Sequence, residues 1–205
     1  KDVDLSSSFV MIAISSDQET WEQRGCGAVL ITPRIVLSAA HCDHELLHGV
    51  VVNTTVVKPI TSAAQFVKIK RKILHPSYDE VTGDYDFMLL ELEGGVAQRF
   101  WPFQIPLATA AYIGALGAST KLVTCGHGRE FEGGPGSDHL SCLEVPYQPT
   151  CGHIRFRYHY DNKTMICAGD TGKTACKGDS GGPLYHRANG EWILLGVASW
   201  GVGCG

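Results

Sequence analysis

The sequence predicts an all-β protein of antiparallel strands, and two observations carry that prediction. Apolar and β-branched runs are short, recur along the whole chain and are separated by Gly, Pro, Ser and Asn. Helical periodicity is thin, its best instance being a short turn at 39–44. The candidate strands, in order, are 9–14, 27–31, 35–38, 50–57, 66–74 and 87–92, then 121–125, 142–145, 165–168, 183–186 and 192–200. Spacing of this kind suits a sandwich or a barrel, and 205 residues suffice for one sizeable core or two small ones. The stretch 101–117, rich in Pro, Ala and Gly, reads as a crossover between two halves. No solenoid-period repeat, low-complexity tract or coiled-coil heptad is present.

Composition narrows the function classes. The net charge is −4 and the 17 basic residues are scattered, which disfavours nucleic acid or an anionic membrane surface as partner. No apolar run approaches the roughly 18 residues that cross a bilayer. Eight cysteines, without the Cys-x-x-Cys rhythm of a zinc site, read as disulfides. Asn53-Thr54-Thr55 and Asn162-Lys163-Thr164 fit the N-glycosylation pattern. Together these features point to a secreted glycoprotein. The opening Lys1-Asp2-Val3-Asp4 is not a signal peptide, so processing or excerpting is expected to have removed one.

Gly178-Asp179-Ser180-Gly181-Gly182-Pro183 is the most informative segment. A serine nucleophile needs an exposed hydroxyl, a base beside it and donors for the developing oxyanion. Glycines on both sides let the backbone turn tightly and let a substrate carbonyl approach. The amides of Gly178 and Ser180 could then aim at one spot as an oxyanion hole. The segment also satisfies Gly-x-Ser-x-Gly, the elbow of α/β-hydrolases, but that fold needs an acid and then a histidine downstream. His186 is the sole histidine after Ser180, and no alternation of strand and helix exists. The elbow reading fails.

A base is available in Ser38-Ala39-Ala40-His41-Cys42, which follows the apolar run Ile35-Val36-Leu37. Small residues ahead of His41 let its ring sit close to a neighbouring element. Asp86, in Asp84-Tyr85-Asp86-Phe87-Met88-Leu89-Leu90, is an acid placed directly before a buried strand. A carboxylate there is costly unless hydrogen-bonded, as to an imidazole N–H.

These three blocks resemble the signature blocks of the chymotrypsin/trypsin serine proteases, in the order His, Asp, Ser of that family. Gly25-Cys26-Gly27, Met165-Ile166-Cys167-Ala168-Gly169 and Ser199-Trp200-Gly201 extend the match over nearly the whole chain. The resemblance implies two packed six-stranded antiparallel β-barrels, with residues 1–104 forming the first and 105–205 the crossover and second. It implies a hydrolase in which His41 takes the proton of Ser180 and Asp86 fixes the tautomer of His41. Asp84 lies in the same turn, but the family pattern selects the Asp directly before the strand. Ser199, Trp200 and Gly201 would pair with substrate backbone as an added strand.

The implied disulfides are Cys26–Cys42, Cys151–Cys167 and Cys176–Cys204. Cys125 and Cys142 remain, on early strands of the second barrel that pair in the family fold, so a cross-strand bridge is expected there. No cofactor and no catalytic metal are implied, and the loop 53–65, without an acidic residue, does not suit calcium. Polypeptide substrates and protein inhibitors are the expected partners, for a chain expected to be a monomer. The resemblance implies that the base of the primary pocket is the residue six before the nucleophile, here Thr174, followed by Ala175. A neutral Thr there and the open Gly201 favour a large apolar residue before the scissile bond. Lys177 on the rim favours acidic residues nearby. A second wall position would lie beyond Gly205, which leaves cleavage after Lys or Arg open.

The chain departs from the family in three places. Asp179 is implied to pair with a new amino terminus, but an Ile-Val-Gly-Gly-like start would fall a few residues before Lys1. Relatives continue past Gly205 through a strand and a closing helix, so a zymogen-type peptidase domain trimmed at both ends is expected. His127 stands where a tryptophan is usual. The alternatives are a protease homologue that binds without cutting, and a disulfide-rich structural module. The first leaves the coexistence of the three blocks unexplained, and the second does not account for them.

Overall fold

Strand β1 (Phe9–Ile14) is apolar throughout because both of its faces are covered. Val10 and Ile12 enter one core, whereas Phe9 and Met11 on the opposite face enter another together with Cys125. The computed structural model describes residues 8–14, 22–57, 63–97, 105–151 and 160–204. Beside β1 run β2 (Glu22–Thr32), β3 (Ile35–Ser38), β4 (Leu47–Val52), β5 (Gln65–Leu74) and β6 (Met88–Leu92). They close into an antiparallel barrel in the order β1-β2-β3-β6-β5-β4. Its interior holds Ala28, Leu30, Val36, Leu47, Val50, Met88 and Leu90, all buried.

The second half comprises β7 (Lys121–Gly126), β8 (Ser141–Gln148), β9 (Cys167–Ala168), β10 (Pro183–Ala188) and β11 (Glu191–Val197). These make one curled sheet ordered β11-β10-β7-β8-β9. Among the described residues it has five strands where six were expected, and the all-β double-barrel class stands. The two halves meet where β2 faces β10 and β11: Val29 packs with Ile105, Tyr185 and Leu194. The fully buried Tyr185 hydroxyl hydrogen-bonds Ser8 Oγ at 2.7 Å, tying the start of β1 to the second sheet.

Several expected elements shift. The strand expected at 50–57 stops at Val52, because Asn53 adopts φ 58° and turns the chain. The one expected at 27–31 grows into the eleven residues of β2. That at 192–200 becomes β11 and ends at Val197, leaving 198–200 without ladder assignment. Within the crossover, residues 101–104 lie outside the described residues, and 110–114 form a short helix α1 (Ala110–Gly114). Thr109 caps it, its Oγ1 accepting from Tyr112 N at 3.2 Å. No helix among the described residues is long and apolar enough to cross a membrane.

Four disulfides join Cys26 to Cys42, Cys125 to Cys142, Cys151 to Cys167 and Cys176 to Cys204. Cys125 and Cys142 are direct register partners across β7 and β8, with Cα atoms 4.1 Å apart.

Candidate active site

His41 sits in a single 3-10 turn (Ala40–Cys42) that caps β3, held against the barrel by the buried methyls of Ala39 and Ala40. A larger side chain at either position would lift the turn off the core. Asp86 reaches the same place from the residue pair before β6, where Tyr85 adopts φ 53° and its carbonyl accepts from Phe87 N at 2.7 Å. The carboxylate grips His41 twice: Oδ1 accepts the His41 amide at 2.9 Å and Oδ2 accepts Nδ1–H at 2.7 Å. Ser199 Oγ donates to the same Oδ2 at 2.5 Å. Asp86 is buried, which works against its charge, but the bond and attraction of His41, then Ser199 and the His41 amide, outweigh this. The carboxyl is held below the usual carboxylate range.

Because Nδ1 carries the hydrogen toward Asp86, Nε2 presents a bare lone pair. Its neighbour at 3.9 Å is Cys42 Sγ, a disulfide sulfur with no hydrogen to give. The ring is one-third exposed to solvent. Cys26, His41 and Cys42 cluster in space, but both sulfurs are spent in a disulfide and hold no metal.

Ser180 is brought to this edge by backbone, not by its hydroxyl. Gly27 N donates to Ser180 O at 2.7 Å, and Ser38 Oγ donates to Gly27 O at 2.9 Å. Gly181, at φ 74°, lies so close to Ser38 Oγ and Gly27 O that a Cβ would collide with both. The serine turn is therefore pressed onto the segment that carries His41, and Cys26–Cys42 staples that segment from the other side. Ala198 O accepts Gly181 N at 2.7 Å, and Gly182 O accepts Ala198 N at 2.8 Å, which bring 198–200 alongside. Among the described residues Ser180 Oγ makes no hydrogen bond, to His41 or to any other group. Such pairs are often loose without substrate.

The amides of Gly178 and Ser180 also donate to no backbone carbonyl among the described residues, whereas Asp179 N and Gly182 N close the turn at 3.0 and 2.9 Å. Gly178 has φ 103° and rests against Gly128, where a Cβ would stand 2.9 Å from the Gly128 Cα. The Asp179 carboxylate turns inward and accepts from Gly128 N and Cys176 N, each at 2.8 Å. Burial pushes its pKa up against these two amides.

Thr174 and Ala175 are half-buried, and Cys176–Cys204 ties their strip to 201–204. Lys177 is exposed and pairs with Glu132 at 3.6 Å. Trp200 is half-buried and Gly201 exposed. Asn162 is exposed in a turn, while Asn53 donates its Nδ2 to Ala63 O at 2.8 Å. Two side-chain contacts from loops of the second half were not foreseen from sequence. The Ser199 hydroxyl on Asp86 is one, and Thr164 Oγ1 on Asp84 Oδ1 at 3.3 Å is the other. Neither has a spacing signal, since each joins loops from opposite halves.

A family model described as Trypsin matches residues 4–205. The chain is 36% identical over 185 residues to "Trypsin 5G1" of Aedes aegypti, covering 87% of this chain and 66% of that protein. It is 34% identical over 183 residues to "Trypsin" of Simulium vittatum, covering 87% and 71%. It is 37% identical over 189 residues to "Transmembrane protease serine 9" of Rattus norvegicus, covering 88% of this chain and 17% of that protein. The chain thus spans about two thirds of the length of the two trypsins. With a closed barrel, a curled second sheet and a match along almost its whole length, the chain belongs to the trypsin family.

Proposed function

We propose that the chain is the peptidase part of a secreted serine endopeptidase that cuts through an acyl-enzyme on Ser180. One observation carries the proposal: Asp86 holds His41 by amide and ring together, so that Nε2 is bare at the edge where the Gly27–Ser180 bond sets the serine turn. Ser180 Oγ attacks the substrate carbonyl carbon and His41 Nε2 takes the hydroxyl proton. The oxygen of the tetrahedral intermediate, now negative, is received by the amides of Gly178 and Ser180. His41 returns its proton to the leaving amine. Water then repeats the sequence on the ester and frees Ser180. Asp86 stays ionised throughout and offsets the charge on the imidazolium.

Thr174 and Ala175, which would form the pocket base, and Gly201, which would leave its mouth open, favour a large apolar residue before the cut bond. Ser199–Gly201 would pair with substrate backbone, and Lys177 would attract acidic residues near the rim. Asp179 would receive the amino terminus of a processed chain, since this half-buried carboxylate with two amide donors has no cation paired with it among the described residues. The disulfides and trypsin-named relatives support an extracellular setting. Of the two glycosylation candidates, the exposed turn at Asn162 is more open to a glycan than the bonded Asn53.

The test is turnover of a chromogenic peptide panel by the full-length processed protein. Cleavage after Phe or Leu, reduced about 10⁶-fold in Ser180→Ala or His41→Ala, is the expected result. Cleavage after Arg alone would overturn the apolar assignment. No cleavage of any peptide would favour a homologue that binds without cutting.

A further inference from the structure

His127 occupies the turn after β7, and its ring is only 4% exposed. It packs on Phe9 of β1 with centroids 5.3 Å apart, beside the core of Phe9, Met11, Val51, Val57 and Cys125 that lies between the halves. Nε2 lies 3.3 Å from Thr55 O, and a carbonyl can only accept, so Nε2 carries the hydrogen. Nδ1 is then a bare acceptor, buried and without a partner among the described residues. A neutral imidazole fits this niche in one tautomer. An imidazolium does not, because its second N–H would be charged and aimed at no acceptor.

The groups around the ring agree. Burial pushes the His127 pKa down and the Thr55 carbonyl opposes this; His139 repels the charged form and Asp138 attracts it. Asp179 faces the two glycines that flank the ring, β1 presents Phe9, and the loop opposite presents the Thr55 carbonyl.

The same turn is the template for the serine loop. Gly126 and Gly128, on either side of His127, lie so close to the Asp179 carboxylate that a Cβ on either would collide with it. Gly128 N donates to Asp179 Oδ1 at 2.8 Å, and Arg129 N donates to Lys177 O at 2.9 Å. A Cβ on Gly178 would stand 2.9 Å from the Gly128 Cα, so the two glycines lie close together. Any displacement of 126–129 therefore moves 177–179, and with them the Gly178 amide.

We propose that His127 is a positioning residue: its neutral ring locks the 126–129 turn and so the Gly178 amide, and its protonation in acid releases that amide while His41 and Asp86 stay in place. The inference rests on the endopeptidase reading above, in which that amide receives the oxyanion. The sign is fixed by the niche. Above the ordinary histidine pKa of about 6.5 the ring is neutral whether the turn is closed or open, so pH has no effect through it. Below that value the open turn takes the proton first. The closed form then loses about tenfold against the open form per pH unit, until the depressed pKa of the closed form is reached.

The test compares kcat and KM from pH 4 to 9 for the full-length protein, His127→Gln and His127→Trp. Gln keeps a donor for Thr55 O and does not titrate. In the parent, the acid fall of kcat is expected to be steeper than in either variant by the one proton that His127 takes up, with KM little changed. Both variants are expected to lack that extra steepness, His127→Gln exceeding the parent by about tenfold one pH unit into the His127 titration. Identical acid limbs in all three proteins would overturn the inference. Should the variants fail to fold, NMR of Ser180→Ala follows the His127 ring alongside the Gly128 and Gly178 amides. A shared midpoint below 6.5 supports the linkage, and a ring that titrates without moving those amides refutes it. Absence of turnover at pH 8 would instead fell the endopeptidase reading, and the amide titration would still decide the linkage.

Discussion

Replacing Asp86 by Asn separates what this residue does for chemistry from what it does for folding. Both carboxylate oxygens accept hydrogen bonds, Oδ1 from the His41 amide and Oδ2 from Nδ1–H and Ser199 Oγ. An amide has one acceptor only. The backbone N–H cannot be reversed, so the carboxamide oxygen stays at the Oδ1 position and the NH₂ faces Nδ1. His41 must then place its hydrogen on Nε2, where, in the proposed mechanism, it can no longer take a proton from Ser180. A base in the wrong tautomer costs about 10⁴ in kcat in the Ser-His-Asp template of this family, or about 5.4 kcal/mol of barrier at 1.36 kcal/mol per decade. Folding is affected far less, because the substitution also removes a buried charge whose burial opposes ionisation. Steady-state kinetics and thermal unfolding of one preparation supply both numbers. A variant with kcat within tenfold of the parent, or one whose loss of activity simply follows loss of fold, would refute the tautomer argument.

Other expectations follow from neighbouring contacts. Ser199→Ala removes one charge-assisted bond from Asp86 but leaves both His41 bonds, so kcat/KM should fall by about tenfold, with KM for the best peptide unchanged. Gly181→Ala meets both φ 74° and a collision with Ser38 Oγ and Gly27 O; a loss of about 3 kcal/mol or more, roughly 6–12 °C in Tm, is expected by calorimetry. The Asp86 carboxyl is depressed in the folded state, so its contribution to stability is present above about pH 3.8 and is lost as pH falls below it. Urea unfolding from pH 6 to 2.5 should show that loss in the parent and a shallower fall in Asp86→Asn.

Legibility from sequence varied with how local the cause was. Strand β1 could be read because its apolar run serves two cores at once, and β3 because its four residues feed directly into the Ser-Ala-Ala-His-Cys block. The ends of β4 and β11 could not, since they depend on a positive φ at Asn53 and on where the ladder with β10 stops. Helix α1 escaped because five residues give no periodicity, and only the Thr109 cap marks its start. At the site, the motif blocks named His41, Asp86 and Ser180 as candidates, and the structure adds the bonds of the His41 amide and the Ser199 hydroxyl to Asp86 and the Gly27–Ser180 backbone bond. Each of these links residues far apart in the chain, and no spacing rule reaches that distance. The His127 substitution was visible as a departure, but its meaning came only from the orphaned Nδ1 and the two glycines pressed on Asp179.

Covalent labelling tests the nucleophile directly. The full-length processed protein is treated with a fluorophosphonate at pH 8 and digested, and the adduct is located by mass spectrometry. Modification of Ser180 alone, abolished in Ser180→Ala and slowed by several orders of magnitude in His41→Ala, is the predicted result. An unlabelled Ser180 in a correctly folded chain, or labelling that is indifferent to His41, would contradict the account.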